Sequence, residues 1–483
     1  MLKNYSHYSA QAFRLHTFFM GNKKFCLASG GGGCGKSFAI ASWLKNSGLD
    51  STEYVFVAPT GKAVSVAEEK GMHGRTIHSY FKLLNNDTHH NIDRHIISKW
   101  GSFAKYTVEM KKELFGKKVI IIDEISMVNN QMLNFILELI QQVAPSAKII
   151  LSGDYHQLGA VIPNAKRENN PGIDESLGLV FDMINSGGVD VIDFNTRYRS
   201  NDEVYNEWLH NLRHMMDPSL RDVEKLATAI ESFFNVHQNN VPENIETHLT
   251  YLCYTNAKVK EINDHILNIL NGNQLPKISK AIIYVDDVRH NTIGDVRNSN
   301  AQQILREMQF VEQVPLVVGA TVLFLTNGEK YRNGDSGTIY EIKGSSVVVK
   351  KHSPAGNYMV EIDKHKYESS PYEKSIGLNV TVTQWPFTLA YARSIHKSQG
   401  DGFTDLHLDF TEFLDNKNLT KYDKWRLLYV CISRVKDPSK VWIGRASLDK
   451  LRANRKLLSD IDFDKLSLNF SKADKQKYIP RNV

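Results

Sequence analysis

The sequence predicts an α/β protein with two parallel-sheet domains, a small insertion in the first and a small inserted β-barrel in the second. Three observations carry that prediction. Up to about residue 180, apolar runs of strand length alternate with helical stripes, the rhythm of a parallel sheet covered on both faces. A second such rhythm starts near Gly188. Between Val314 and Ile376 the period shortens to brief strands separated by turn signals, as in a compact β module.

The first pattern opens with Phe25 to Ala28 and continues through Tyr54 to Val57, Lys118 to Ile122 and Lys148 to Leu151. Each is a short apolar run of the kind that forms a buried strand. Asn130 to Val143 places Met132, Leu133, Ile136, Leu137 and Ile140 on one helical stripe. The polar stretch from Lys82 to Gly116 breaks the rhythm. It is too long for a loop inside a compact unit, so it reads as a small subdomain. In the second pattern, strands are expected at Val189 to Phe194, Leu249 to Tyr254, Phe387 to Ala392, Leu406 to Asp409 and Lys440 to Ile443. Helices are expected at Lys258 to Leu270 and Trp425 to Val435. The inserted module contributes Thr321 to Leu325, Thr338 to Ile342, Ser346 to Lys350 and Tyr358 to Ile362. These readings divide the chain into 1–81 with 117–187, an insertion at 82–116, 188–313 with 377–464, a barrel at 314–376, and a polar, loosely docked tail at 465–483.

Composition narrows the class. At 483 residues, 42% hydrophobic and 23% charged, the chain suits two to four globular domains and excludes wholesale disorder and fibres. The formal charge of +6 permits a polyanionic partner without requiring one. No apolar run reaches the length of a membrane span, and Met1 to His7 lacks the apolar core of a signal peptide. Cys26, Cys34, Cys253 and Cys431 show no paired spacing, so neither a zinc site nor a disulfide framework is expected. A soluble protein of a reducing compartment is the expectation.

The strongest chemical signal is Gly30-Gly31-Gly32-Gly33-Cys34-Gly35-Lys36-Ser37 between a strand and a helix. Glycines let backbone N–H groups wrap a phosphate chain, Lys36 reaches its outer oxygens, and Ser37 can hold Mg²⁺. Ile120-Ile121-Ile122-Asp123-Glu124 ends a strand in two acids. Beside a phosphate loop, Asp123 suits the metal and Glu124 the attacking water. Gln157, after the next strand, is placed to sense a γ-phosphate; the bland alternative is a polar turn over Leu158.

The ordered motif set resembles a superfamily 1 DNA helicase of the RecD type, most similar to the phage Dda helicases. Ala58-Pro59-Thr60-Gly61-Lys62-Ala63 and Thr76-Ile77-His78-Ser79 resemble motifs Ia and Ib. Arg197-Tyr198-Arg199-Ser200 resembles motif IV, and Tyr254-Thr255-Asn256 the strand-end motif after it. Asn333-Gly334-Asp335-Ser336-Gly337-Thr338-Ile339 is similar to the opening of the inserted barrel. Ala392 to Gly400 resembles motif V, and Leu428 to Arg434 motif VI. Cys34 and Ser37 stand where threonines are common, Arg393 where an apolar residue is usual, and Gly159 where proline is frequent.

The resemblance implies two RecA-like domains, an SH3-like barrel, and ATP and Mg²⁺ as cofactors. It implies a monomeric, ATP-dependent 5′-to-3′ helicase of DNA replication, recombination or repair, in bacterial or phage-infected cytoplasm. Its partners would be single-stranded and forked DNA and other replication or recombination proteins, with no membrane. Arg199 and Arg434 become arginine fingers, with Arg197 the competitor for Arg199. Gln11 becomes the adenine reader, against an exposed helix glutamine, and Gly400 joins the nucleotide site. DNA contacts fall on Pro59, Thr60, Lys62, Thr76, His78, Thr255, Asn256, Ser394, His396, Lys397 and Gln399. Hydroxyl, amide and basic groups suit phosphate contacts, although His396 and Lys397 also fit a helix cap. Trp100 and Phe103 are wedge candidates, although with Tyr106 they fit the subdomain's own core somewhat better. The rival functions are a translocase or loader that does not separate strands, a non-enzymatic nucleotide-switched binding protein, and a phosphotransferase. The paired acids and two finger candidates argue against the last two.

Overall fold

A computed structural model of the chain describes residues 6–83, 92–154, 156–159, 179–180, 182–184, 186–194, 196–215, 218–238, 249–272, 276–287, 292–293, 305, 311–352, 356–368, 378–459, 461 and 463. The polar tail expected at 465–483 lies outside them. The chain divides into two compact units: Met1–Glu243, Leu252–Tyr254 and Ser394–Val483 form one, and Asn244–Tyr251 and Thr255–Arg393 the other.

The first unit holds a six-stranded sheet in the order Gly74–Thr76, Tyr54–Ala58, Val119–Ile122, Lys148–Gly153, Phe25–Gly30, Val189–Phe194. Its ladders are parallel, with Phe25 level with both Ile149 and Val189. The continuous apolar runs follow from burial on both faces. Cys26, Ala28, Ile121, Ile150 and Ile192 join one core with Trp43 and Ile40 of the helix Lys36–Asn46. Leu27, Ile120, Ile122, Ile149, Leu151 and Val191 join the opposite core with Leu133 and Ile136 of the helix Asn130–Val143. Alternate residues thus serve alternate faces, as strand pleating dictates. Val189–Phe194, expected to open the second domain, is instead the edge strand of this first sheet. An apolar run identifies a strand but carries no address for its sheet, so the expected boundary at 187/188 fails.

Leu406–Leu408, Val441–Gly444 and Asn235–His237 form a second parallel set in the same unit. The carbonyl of Cys253 accepts from Ile395 N at 2.9 Å beside it. Asn235–His237, absent from the expected strands, is three residues long and too short to leave a period.

Among its described residues, the insertion at 82–116 contains the helices Ile92–Trp100 and Phe103–Glu113, the second capped by Ser102. Tyr106 and Met110 are buried in the sheet's core, Trp100 packs against that core, and Trp100 and Tyr106 have ring centroids 6.0 Å apart. Trp100 is therefore a packing residue on that core, which favours its core reading. Phe103 remains 38% exposed.

The second unit is mainly antiparallel β. A five-stranded sheet runs Tyr358–Asp363, Ser346–Lys351, Ser336–Ile342, Thr321–Phe324, Phe387–Leu389, with a bulge between Ile339 and Glu341. A four-stranded sheet runs Thr292–Ile293, Ile282–Asp287, Leu378–Gln384, His365–Glu368. Gln313–Leu316 pairs with Lys277–Lys280. The β module therefore reaches beyond the expected 314–376. Phe387–Leu389, expected in the second α/β domain, pairs antiparallel with Thr321–Phe324 because Phe387 packs edge-on against Phe324 in this module. Among the described residues no helix is long and apolar enough to cross a membrane.

Candidate active site

The strand Phe25–Gly30 delivers the glycine run into the helix Lys36–Asn46. Gly33 and Gly35 take φ of 79° and 83°, values that L side chains rarely adopt. Lys36 Nζ donates to the carbonyls of Gly30 at 2.6 Å and Gly31 at 3.2 Å, and lies 3.9 Å from Cys34 Sγ. Ser37 Oγ donates to Asp123 Oδ2 at 3.4 Å, which joins the loop to the first of the two strand-end acids. Asp123 is 5% exposed. Glu124 has a left-handed φ of 50°, an uncommon conformation for a side chain and one that clusters at functional turns. Burial, reinforced by the neighbouring Asp123 charge, holds the Glu124 carboxyl above its ordinary range.

The loop's glycines also admit arginines. The Tyr198 amide donates to Gly33 O at 2.9 Å, laying the Arg197–Arg199 segment along the loop. A Cβ on Gly32 would lie 2.7 Å from Arg199 Nη1 and 3.0 Å from Arg434 Nη2, and one on Gly33 would lie 2.5 Å from Arg199 Cβ. Arg199 donates to Ser433 O at 2.5 Å and to Gly400 O at 3.5 Å. Arg434 is fully buried and donates to Val430 O at 3.1 Å, Asp401 O at 3.3 Å and Ser433 Oγ at 2.9 Å. Burial first, then the neighbouring guanidiniums of Arg434 and Arg197, lowers the Arg199 pKa to about 9. Arg434 is lowered chiefly by burial. Carbonyls hold these cations in place, and an added anion between them would relieve their mutual repulsion.

Gln157, 2% exposed, donates to Asp154 Oδ2 at 3.1 Å, and its own carbonyl accepts from Arg426 Nε at 2.5 Å. Gln157, Gly400 and both fingers line one pocket with Gly32 to Ser37, Asp123 and Glu124. Gln11 is not among the lining residues; its amide donates to Asp193 O at 3.3 Å.

The expected DNA contacts divide. Thr60, Lys62 and Gln399 line that same pocket. Thr60 caps the helix Gly61–Glu68, Lys62 is ion-paired with Asp401, and Gln399 Nε2 donates to Leu158 O at 3.2 Å. Pro59 is half-buried at the end of Tyr54–Ala58. Thr76 caps the short helix Ile77–Tyr80, where burial lowers the His78 pKa. Ser394 Oγ accepts from Lys397 N at 3.4 Å, and His396 and Lys397 sit in a single 3₁₀ turn with Lys397 exposed. Thr255 and Asn256 start the helix Asn256–Leu270 of the second unit, with Thr255 as its cap.

Several site residues carried no sequence signal. Lys70 lines the pocket, and its pKa is lowered by burial against the opposing pull of Asp123. Arg213, 2% exposed, pairs with Asp154 at 3.1 Å and Asp193 at 3.5 Å and donates to Ser29 Oγ at 3.0 Å. A lone arginine in a helix resembles any surface arginine until its partners are known.

A family described as AAA domain matches residues 7–228. The chain is 26% identical over 426 residues to the ATP-dependent DNA helicase Pif1 of Campylobacter jejuni, covering 85% of this chain and 86% of that protein. It is 27% identical over 398 residues to the same-named helicase of Bdellovibrio bacteriovorus, covering 80% and 78%. Among solved structures, the Pif1 helicase from Candida albicans superimposes with a TM-score of 0.67 at 20% identity, covering 97% of this chain and 100% of that one. The Pif1 helicase from Bacteroides in complex with ADP-AlF3 and ssDNA gives 0.62 at 20% identity, with 97% of each chain covered. These matches correspond to two parallel-sheet RecA-like domains with antiparallel β insertions. The chain matches the AAA domain family over residues 7–228 and has the fold of the Pif1 helicases.

Proposed function

We infer that this chain is an ATP-dependent DNA helicase that moves 5′ to 3′ on single-stranded DNA and unwinds duplex. The observation that carries the reading is the convergence of Arg199 and Arg434 on Gly32 of the phosphate loop, beside Asp123 and Glu124. A binding switch needs no such pair of converging cations, whereas phosphoryl transfer to water gains most of its acceleration from positioned positive charge and an oriented nucleophile. The Pif1 names of the bacterial relatives, and the ssDNA in the Bacteroides Pif1 complex, support DNA as the track.

ATP enters with its phosphates against the N–H groups of Gly33 to Ser37, and Lys36 leaves the Gly30 and Gly31 carbonyls for the outer phosphates. The Ser37 hydroxyl and Asp123 carboxylate, already in contact, fit a hard, oxygen-preferring cation such as Mg²⁺. When bound, that ion neutralises charge on the β and γ oxygens. Glu124 accepts a proton from the attacking water, Gln157 orients it, and Arg199 and Arg434 stabilise the transition-state charge. Our finer reading keeps the likeness of motifs V and VI to the phage Dda helicases. Pro59, Thr76, His78, Ser394, His396, Lys397, Thr255 and Asn256 remain the proposed DNA contacts, Phe103 the wedge, and Gln11 the adenine reader.

ATP hydrolysis measured with and without single-stranded DNA tests this reading. DNA-stimulated turnover is expected. Hydrolysis indifferent to DNA would exclude a motor on this track, and nucleotide binding without hydrolysis would return the chain to the switch class.

A further inference from the structure

The glycine run is longer than a phosphate loop requires, because the intervening positions of such a loop need not be glycine. Gly31 faces a different cation from Gly32: a Cβ there would clash with the Arg197 guanidinium and lie 3.1 Å from the Tyr429 hydroxyl. Arg197 is 8% exposed. Its Nη2 donates to Tyr429 Oη at 2.8 Å, and its Nη1 lies 3.5 Å from Gly32 O, at the outer limit of a hydrogen bond. Tyr429 Oη in turn donates to Asp154 Oδ2 at 2.9 Å. That same oxygen accepts from Gln157, and the other carboxylate oxygen is held by Arg213.

We propose that Arg197 and Tyr429 are positioning residues that lock the phosphate loop to the helix carrying Arg434 and to the turn carrying Gln157. The proposal rests on the ATPase reading above. Tyr429 lies within the helix Lys421–Ser433, whose C-cap is Arg434. A movement of that helix is therefore transmitted through one hydroxyl to the loop at Gly31 and to Asp154. Burial pushes the Tyr429 phenol up to about 12, so it stays protonated and donating at working pH. This role separates Arg197 from Arg199, since Arg199 lines the pocket and Arg197 is not among its lining residues. Lysine cannot replace it, because one ammonium lacks the planar fork that spans the Gly32 carbonyl and the phenol.

The test is DNA-stimulated ATPase of Tyr429→Phe, Arg197→Lys and Arg434→Lys, with both double variants and thermal melting. Tyr429→Phe removes one oxygen and keeps the ring packing. It should lower kcat about tenfold, the usual scale for a hydrogen bond to a charged group, with the ATP KM within about threefold. Arg197→Lys should not rescue turnover. Each should be strongly non-additive with Arg434→Lys, since a finger whose helix is unlocked has less to lose. Additive losses, losses that track a fallen melting temperature, or unchanged turnover in Tyr429→Phe would each overturn the proposal. A wild-type protein without DNA-stimulated hydrolysis would instead overturn the ATPase reading, so the two failures are distinguishable.

Discussion

Arg199 donates its guanidinium to the carbonyl of Ser433 at 2.5 Å, so one finger candidate is anchored on the residue directly before the other, Arg434. The two cations meet at Gly32 although 235 positions separate them in sequence. Backbone carbonyls hold the Arg199 guanidinium, and carbonyls with the Ser433 hydroxyl hold that of Arg434.

From this pairing, Arg199→Ala and Arg434→Ala should each lower kcat by about 1000-fold, at the modest end for arginine fingers. ATP affinity should change far less, because the groups act mainly in the transition state. Steady-state kinetics with saturating single-stranded DNA, alongside nucleotide binding, checks both. An effect confined to KM would return the arginine to a structural role.

Lys36→Ala should abolish turnover in a folded protein, since its ammonium bonds only loop atoms. Glu124→Gln should still bind ATP and DNA but hydrolyse at least ~100-fold more slowly, the usual contribution of a positioned base. Its pH dependence follows from burial. The Glu124 carboxyl is held above its ordinary range, so the working carboxylate is lost as pH falls through that raised value. The acid limb of the kcat profile should therefore lie above the ordinary glutamate value of about 4.3 and should vanish in Glu124→Gln.

Lys62 and Lys397 were alike as sequence, two lysines in helicase-type motifs, and the structure separates them. Lys62 pairs with Asp401 in the pocket beside the glycine run, whereas Lys397 is exposed in its 3₁₀ turn. Lys397→Ala should weaken single-stranded DNA binding and reduce the salt slope by about 0.7, the single-strand value for one phosphate contact. Lys62→Ala should leave that slope unchanged and alter the ATP KM. Fluorescence titration of labelled oligonucleotide across a salt series distinguishes them, and a reduced slope for Lys62→Ala would restore its role as a DNA contact.

Trp100→Ala should cost about 3 kcal/mol of stability, the low end for a large aromatic in a core, since Trp100 packs on Tyr106 and the sheet core. Phe103→Ala should cost below about 0.5 kcal/mol, as at a surface position, yet lower unwinding while sparing DNA-stimulated ATPase. Thermal melting and the ratio of unwinding to ATPase give the answer. An unchanged ratio in Phe103→Ala would remove Phe103 as a wedge candidate.

Local chemistry was the legible part. The glycine run before Lys36 and the strand-end Asp123 and Glu124 act over a few residues, and their spacing states their geometry, whereas the cap roles of Thr60, Thr76 and Thr255 emerged only with the fold. Long-range partners were not legible. The sheet that takes Val189–Phe194, the antiparallel pairing of Phe387–Leu389 and the Asp154–Arg213 pair depend on contacts tens to hundreds of positions apart. Lys62 and Gln399, read as DNA contacts, line the pocket with the glycine run, because a strand-end loop there can face either way and residue type does not choose. Arg197 shows a subtler limit: only the space above Gly31 reveals that it serves the loop.

The most direct measurement compares ATP-dependent unwinding of two duplexes that differ only in carrying a 5′ or a 3′ single-stranded tail. The account predicts strand separation from the 5′ tail, and none from the 3′ tail or without ATP. Unwinding only from the 3′ tail would contradict the assigned direction. DNA-stimulated ATPase with no unwinding of either substrate would contradict the helicase assignment itself and leave a translocase.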